Sequence, residues 1–261
     1  MLLTGASGGV GPYIARAVAR AGANVVLTGR NEGRLSAIAK ECERLGAKAS
    51  CIVADIAEAA ERVRLVEAVG RVDVLVNNAA FEIPVRLLDL SDVEVQRQIE
   101  VNLVAPIDLT RRLLPGMLER RQGVIVNVSS MSARTPSPCQ TIYAATKSGL
   151  NGFTASLRYE LEGTGVHAGV VCPSFVGKAG MWVNGGARAP RLVREVEPEQ
   201  VAAAVLKTIG GAAEVLVAPG PVRLLLAMQE LLPGLEHRVL RAMGVFQAVE
   251  DRAAKYRSRN P

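Results

Sequence analysis

The sequence predicts an α/β domain built on a doubly wound, seven-stranded parallel sheet. Three observations carry this: short apolar segments alternate with helix-period stretches, a glycine-rich turn directly follows the first segment, and polar residues gather where the strands end. The strands centre on Leu2, Val26, Ile52, Leu75, Val126, Val170 and Leu216, with no linker, repeat or low-complexity stretch between them. A chain of 261 residues suffices for one such domain, and 49% hydrophobic with 3% aromatic residues predicts a core of Ala, Val and Leu.

The first strand, Met1-Leu2-Leu3, runs into Thr4-Gly5-Ala6-Ser7-Gly8-Gly9-Val10-Gly11, and Ile14, Ala15, Val18 and Ala19 follow at helical spacing. Glycines let a backbone turn tightly and approach a pyrophosphate, whose charge suits the free N–H groups at a helix start. Pro12 fits the first helical position, where its missing N–H removes no internal bond. The spacing is Gly-x-x-x-Gly-x-Gly, not the general dinucleotide fingerprint Gly-x-Gly-x-x-Gly. A first strand of this kind lies at the sheet centre, yet only three residues precede Thr4. The natural chain is therefore expected to start several residues earlier.

The second strand ends in Thr28-Gly29-Arg30. NAD sites usually place an acid about 20 residues after the glycine turn, to bind the adenine ribose 2′-OH. Here no acid appears before Glu32; Gly29 stands in its place, and the neighbouring Arg30 can pair with a 2′-phosphate. NADP is expected in preference to NAD.

Further along, a long helix is expected over Val93 to Glu119 and another over Thr141 to Leu161. Between them Gly123-Val-Ile-Val-Asn-Val-Ser-Ser130 reads as a buried strand that delivers Ser130 to its carboxyl end, where open α/β sheets bind ligands. Tyr143 and Lys147 fall one turn apart on the second helix. An ammonium there is expected to favour the phenolate and make the phenol acidic enough to exchange a proton near neutral pH. Alone, this spacing also fits an exposed helical pair. A carbonyl that receives hydride needs a proton donor and a second donor at its oxygen, and Tyr143 and Ser130 are of those types.

Together, Thr4-Gly5-x-x-x-Gly9-x-Gly11, Asp55, Asn77-Asn78-Ala79-Ala80, Asn102, Ser130 and Tyr143-x-x-x-Lys147 resemble the short-chain dehydrogenase/reductase family, in its order and spacing over residues 1 to about 175. The resemblance implies a Rossmann-type fold and a nicotinamide-dependent oxidoreductase. Tyr143 would pass the proton and Ser130 would hydrogen-bond the substrate oxygen. Lys147 would bind the nicotinamide ribose and lower the tyrosine pKa, and Asn102 would hold a water linking the lysine to solvent. Implied cofactor contacts are Thr4, Gly5, Ser7, Gly8, Gly9, Val10 and Gly11 in the turn, with Arg30, Asn31, Asp55 and Ile56 on the adenine side. Asn78, Ala79, Ala80, Tyr143, Lys147, Pro173 and Val176 complete them. The chain departs from the family at Ser174, commonly Gly, and at Lys178, often Thr; Lys178 is a candidate for reaching the pyrophosphate.

Residues 1–221 are expected to form the catalytic domain, with a variable substrate loop over 178–197 and a helical extension over 222–261. The loop carries Met181 and Trp182, an expected apolar lid over a lipid-like, steroid-like or aromatic carbonyl or alcohol. Phe81 and Glu82 are expected to border the same cavity. In the extension, Leu225, Met228, Leu232, Leu235, Val239, Met243 and Phe246 keep helical spacing, and Pro233-Gly234 should split it into two helices. Packing on the pocket, a subunit interface and membrane-surface contact all fit this pattern. Arg252, Lys255, Arg257 and Arg259 read as a frayed basic tail.

The net charge of +6 is scattered without aromatic interleaving, which fits an anionic cofactor and not nucleic acid. Cys42, Cys51, Cys139 and Cys172 form no Cys-x-x-Cys pair, His167 and His237 lie far apart, and no metal site is expected. Reduced thiols and the lack of an 18-residue apolar run point to a cytoplasmic protein. Residues 1–31, acid-free with Arg16, Arg20 and Arg30, also fit a transit peptide, though the glycine turn accounts for them better. Family relatives are commonly homodimers or homotetramers. The rivals are a cofactor-sensing protein without chemistry and a nucleotide-sugar epimerase or dehydratase; the first typically loses the tyrosine or lysine, and the second needs a larger carboxyl-terminal domain.

Overall fold

Alternation along the strands builds the core on both sides of the sheet. Leu2, Leu75 and Ile125 face one helical layer, while their neighbours Leu3, Val76 and Val126 face the other, all fully buried. Each such leucine or isoleucine contributes about 1.5–3 kcal/mol. The computed structural model describes residues 1–184, 194–232 and 234–259. Residues 185–193 of the expected substrate loop, Pro233, and the side chains of Leu225 and Leu235 lie outside the described residues.

All seven expected strands form: β1 (Leu2–Leu3), β2 (Val25–Gly29), β3 (Ala49–Val53), β4 (Val74–Asn77), β5 (Gly123–Val128), β6 (Val166–Pro173) and β7 (Glu214–Val217). They pair in parallel in the order β3-β2-β1-β4-β5-β6-β7. The two-residue β1 is central, pairing with β2 at Leu2↔Val26 and with β4 at Leu2↔Leu75. The order reverses between β1 and β4, and that reversal opens the crevice in which sheets of this type bind ligands.

One layer consists of α1 (Gly11–Arg20), α2 (Glu32–Arg44) and α8 (Pro198–Ile209), whose Ile14, Val18, Leu35, Val201 and Val205 cover the sheet. The opposite layer is α3 (Ala59–Val69), α5 (Ala105–Glu119) and α6 (Thr141–Glu160), contributing Leu65, Leu109, Met117 and Leu157. The helix expected over Val93 to Glu119 is instead two α-segments, α4 (Asp92–Ile99) and α5, joined by a π-turn at Glu100–Val104. Asn102 sits in that turn, a form that recurs at functional sites.

A four-residue α7 (Met181–Asn184) follows β6. The extension holds three helices, not the expected two: α9 (Val222–Leu231), α10 (Leu235–Ala242) and α11 (Val245–Arg259). The extra break falls at Gly244, whose φ of +75° suits glycine and not the residues beside it. Nor is the basic run a frayed tail. Arg252 is buried on α11, where Val245, Val249 and Ala253 pack with Cys139 and Trp182, and Arg257 pairs with Asp89. On α9, Leu224 and Leu231 are exposed. Among the described residues no helix is long and apolar enough to cross a membrane.

Candidate active site

The carboxyl ends of β1, β2, β4, β5 and β6 open onto a cavity of about 1000 Å³. The glycine turn forms its floor. Gly5 has a φ of +64°, and a Cβ there would lie 2.6 Å from Ala79 Cα, so only glycine lets the turn pass the end of β4. Thr4 braces this crossing: its Oγ1 accepts from the N–H groups of Asn78 (3.0 Å) and Ala79 (3.1 Å). In return, Asn78 Nδ2 donates to the carbonyls of Thr4 (3.0 Å) and Gly5 (3.2 Å).

Gly5, Ser7, Gly8, Gly9 and Val10 line the cavity, as do Arg30, Asp55, Ile56, Asn78, Ala79 and Ala80. Nothing lies within 4 Å of a Cβ placed on Gly8, so that part of the turn is open to a close-approaching group. The turn, the exposed Arg30 and the carboxylate-free end of β2 fit a dinucleotide that carries an extra phosphate on its adenine side. Asp55 is tied to Arg97 at 2.6 Å; burial alone would raise its pKa, but bonds from Arg97 and the Ala57 N–H hold it below the usual carboxylate range.

Three expected cofactor contacts, and Asn102, the expected holder of a water, do not line the cavity. Thr4 braces the turn, Gly11 begins α1, and Asn31 caps α2 by accepting from the Arg34 N–H at 2.9 Å. Asn102 is fully buried: its Oδ1 accepts from Phe81 N (2.8 Å), and its Nδ2 donates to Phe81 O (2.7 Å) and Thr146 Oγ1 (3.4 Å). Its side chain thus ties the loop after β4 to α6. Lys178 is paired with Glu197 at 2.9 Å and does not line the cavity.

Helix α6 carries Tyr143 and Lys147 to the end of β5, where Ser130 waits. Ser129 Oγ holds α6 by donating to Lys147 O at 3.2 Å. Deeper in the sheet, Asn77 Nδ2 donates to Asn127 Oδ1 (2.9 Å) and Asn127 Nδ2 to Thr154 Oγ1 (2.8 Å). That buried ladder fixes α6 against β4 and β5, and neither Asn127 nor Thr154 stood out in the sequence. Ser130, Tyr143, Lys147, Pro173 and Val176 all line the cavity together with Glu82, Met181 and Trp182.

The electrostatics reverse one expectation. Tyr143 is 7% exposed, and its pKa lies well above the usual phenol value, first because of burial and then because of the nearby Glu82 carboxylate; a hydrogen bond with Ser130 opposes this. Lys147, 1% exposed, is itself lowered to about 8 by burial. Its Nζ donates to Val128 O at 2.9 Å and lies 5.7 Å from the centre of the tyrosine ring. In this site burial outweighs any lowering of the phenol pKa by the ammonium, so the phenol is held protonated.

Sequence reasoning missed Arg252 and Gln140. Arg252 Nη1 reaches Glu82 Oε2 at 2.8 Å, and Gln140 Nε2 reaches Glu82 Oε1 at 2.6 Å. Trp182 packs edge-on against Phe175 with ring centroids 4.6 Å apart, so it faces the protein as well as the cavity.

Comparison with known proteins agrees with this geometry. The family model described as short chain dehydrogenase matches residues 1–188. Ketoacyl reductase HetN of Nostoc sp. strain PCC 7120 is 38% identical over 263 residues, 97% of this chain and 92% of that protein. A metagenomic short-chain oxidoreductase solved with NADP is 34% identical with a TM-score of 0.70, covering 84% of this chain and 96% of the other. An actinorhodin polyketide ketoreductase solved with NADPH is 31% identical with a TM-score of 0.75, over 84% and 95%. The chain belongs to the short-chain dehydrogenase/reductase family of NAD(P)-dependent oxidoreductases.

Proposed function

We propose that this protein is an NADP-dependent reductase that interconverts a ketone or aldehyde and its alcohol, with Tyr143 as proton donor and acceptor. The observation that carries the reading is the convergence of Ser130, Tyr143 and Lys147 on the cavity floored by the glycine turn. Bound NADPH would supply the hydride.

Each residue then has a task set by its surroundings. Burial keeps the Tyr143 phenol protonated, the state an acid needs before reduction. Ser130 Oγ accepts from the Ser132 N–H at 3.1 Å, and its own proton, given to Ser132 Oγ at 3.3 Å, can turn toward a substrate oxygen as charge develops there. Lys147 presents a positive charge at the cavity edge while Val128 O holds its Nζ. Asn102 positions the loop of Ala79 to Phe81 and the first turns of α6.

The substrate side supports an apolar molecule. Beyond Tyr143 the wall is built by Phe175, Met181, Trp182, Leu226, Leu240 and Met243, so the extension's first two helices enclose the pocket. The names of the similar proteins, a ketoacyl reductase and a polyketide ketoreductase, favour a 3-oxoacyl compound within the ketone class.

The direct test is oxidation of NADPH against a panel of ketones and aldehydes that includes a 3-oxoacyl thioester. Turnover that prefers NADPH to NADH is expected. Tight NADPH binding with no turnover on any member would replace the enzyme reading with a cofactor sensor.

A further inference from the structure

Glu82 and Arg252 form the driest ion pair among the described residues, with side chains 3% and 4% exposed. Arg252 uses its other amine to donate to Met181 O at 3.1 Å, and its guanidinium carbon stands 5.1 Å from the centre of the Trp182 ring. Glu82's second oxygen accepts from Gln140, the residue that precedes α6. Gln140 Oε1 in turn accepts from Ser132 Oγ at 3.3 Å and Ser137 Oγ at 2.7 Å, and Ser132 is hydrogen-bonded to Ser130. An unbroken polar chain therefore runs from α11 to the serine of the carbonyl site.

Stability alone does not account for this cluster. Burying two charges has a desolvation cost that well-packed apolar residues avoid, and such replacements are often neutral or stabilising. The cluster also leaves Arg252 Nε and Trp182 Nε1 buried without partners. What the pair achieves is geometric. It joins the loop after β4, the start of α6, α7 and α11 at one point of the cavity wall, with no residue of the glycine turn in it.

We propose that Arg252 is a positioning residue for the carbonyl substrate: acting through Glu82, Met181 and Trp182, it fixes the wall against which the substrate is held beside Ser130 and Tyr143. The assignment rests on the reading of those two residues as the carbonyl's partners. Its consequence is selective, because substrate placement depends on the clamp while the glycine turn and Arg30 lie outside it.

Trp182 is the chain's only tryptophan, so its emission reports on this cluster alone. The test compares the full chain with Arg252→Met, Arg252→Lys and the double variant Glu82→Gln/Arg252→Met. Readouts are tryptophan emission, urea midpoint, and KM for NADPH and for acetoacetyl coenzyme A. Arg252→Met should shift the emission and raise the thioester KM tenfold or more, with the NADPH KM within twofold. Arg252→Lys, which keeps the charge, should recover part of that loss. The double variant leaves neither charge alone and should regain the urea midpoint while keeping the raised thioester KM.

Unchanged emission and thioester KM in Arg252→Met would overturn the proposal, and so would both KM values rising in step with a lowered midpoint. If the wild-type protein reduces no carbonyl compound, the enzyme reading fails instead; the clamp is then decided by the emission, and a wild-type spectrum in Arg252→Met rejects it.

Discussion

Lys147 Nζ donates to the carbonyl of Val128 at 2.9 Å, inside a site where burial lowers its pKa from 10.5 to about 8. The folded protein therefore holds the proton less tightly than the unfolded chain does. Below pH 8 both states are charged at this position and folding carries the full desolvation penalty. Between pH 8 and 10.5 only the unfolded chain keeps the proton, and the penalty fades as pH rises. Relative to Lys147→Met, the wild-type protein should gain up to roughly 3 kcal/mol from pH 7 to 10.5. Urea unfolding of both proteins across that range checks it; a stability gap that does not change with pH would show that Lys147 is not desolvated.

Tyr143→Phe removes the proposed proton donor and leaves the ring in place. General acid catalysis is worth about 10²–10⁴ in rate, so kcat should fall by that factor with NADPH affinity little changed. Loss of kcat with unchanged cofactor binding, measured by fluorescence titration, is the expected pair of results. Equal kcat in the two proteins would remove Tyr143 from the chemistry.

The sequence made the sheet, the glycine turn and the Ser130, Tyr143 and Lys147 set legible because each is local chemistry inside one strand-turn-helix unit. Arg252 was not legible. Its neighbours Lys255, Arg257 and Arg259 give it the look of a solvated tail, and its burial comes from Glu82, 170 positions away. The four-residue spacing placed Lys147 near Tyr143 but could not say where Nζ points, and the carbonyl of Val128 holds it. Nothing in Glu100 to Val104 signals a π-turn. Gly244 did carry a signal, since glycine at a positive φ commonly ends a helix.

Glu82→Gln should make the Tyr143 phenol easier to ionise. The Glu82 carboxylate adds to the effect of burial in raising the Tyr143 pKa, and Arg252 opposes it. Removing the carboxylate charge leaves Arg252 without its counter-charge, so both changes favour the phenolate. The onset of Tyr143 ionisation, followed by ultraviolet absorbance as the difference from the same protein carrying Tyr143→Phe, should shift to lower pH. An onset that stays put or moves upward would show that Glu82 does not act electrostatically on the phenol.

Replacing Arg30 should change the choice between the two nicotinamide cofactors. It is exposed at the end of β2 beside Gly29, where an acid would otherwise select the free ribose hydroxyl, and both residues line the cavity. The nearby carboxylate, Asp55, is engaged by Arg97 at 2.6 Å, which reduces its repulsion of an incoming phosphate. A charge-assisted hydrogen bond contributes about 1.5–3 kcal/mol, so Arg30→Ala should raise the KM for NADPH by about ten- to a hundredfold. NADH carries no 2′-phosphate, and its KM should not change. Arg30→Glu should go further, adding repulsion toward the phosphate while offering the ribose an acceptor, so that preference turns to NADH. Steady-state kinetics with each cofactor at a saturating carbonyl concentration measures the ratio. Parallel loss with both cofactors would mean that Arg30 supports the fold of this corner and does not read the phosphate.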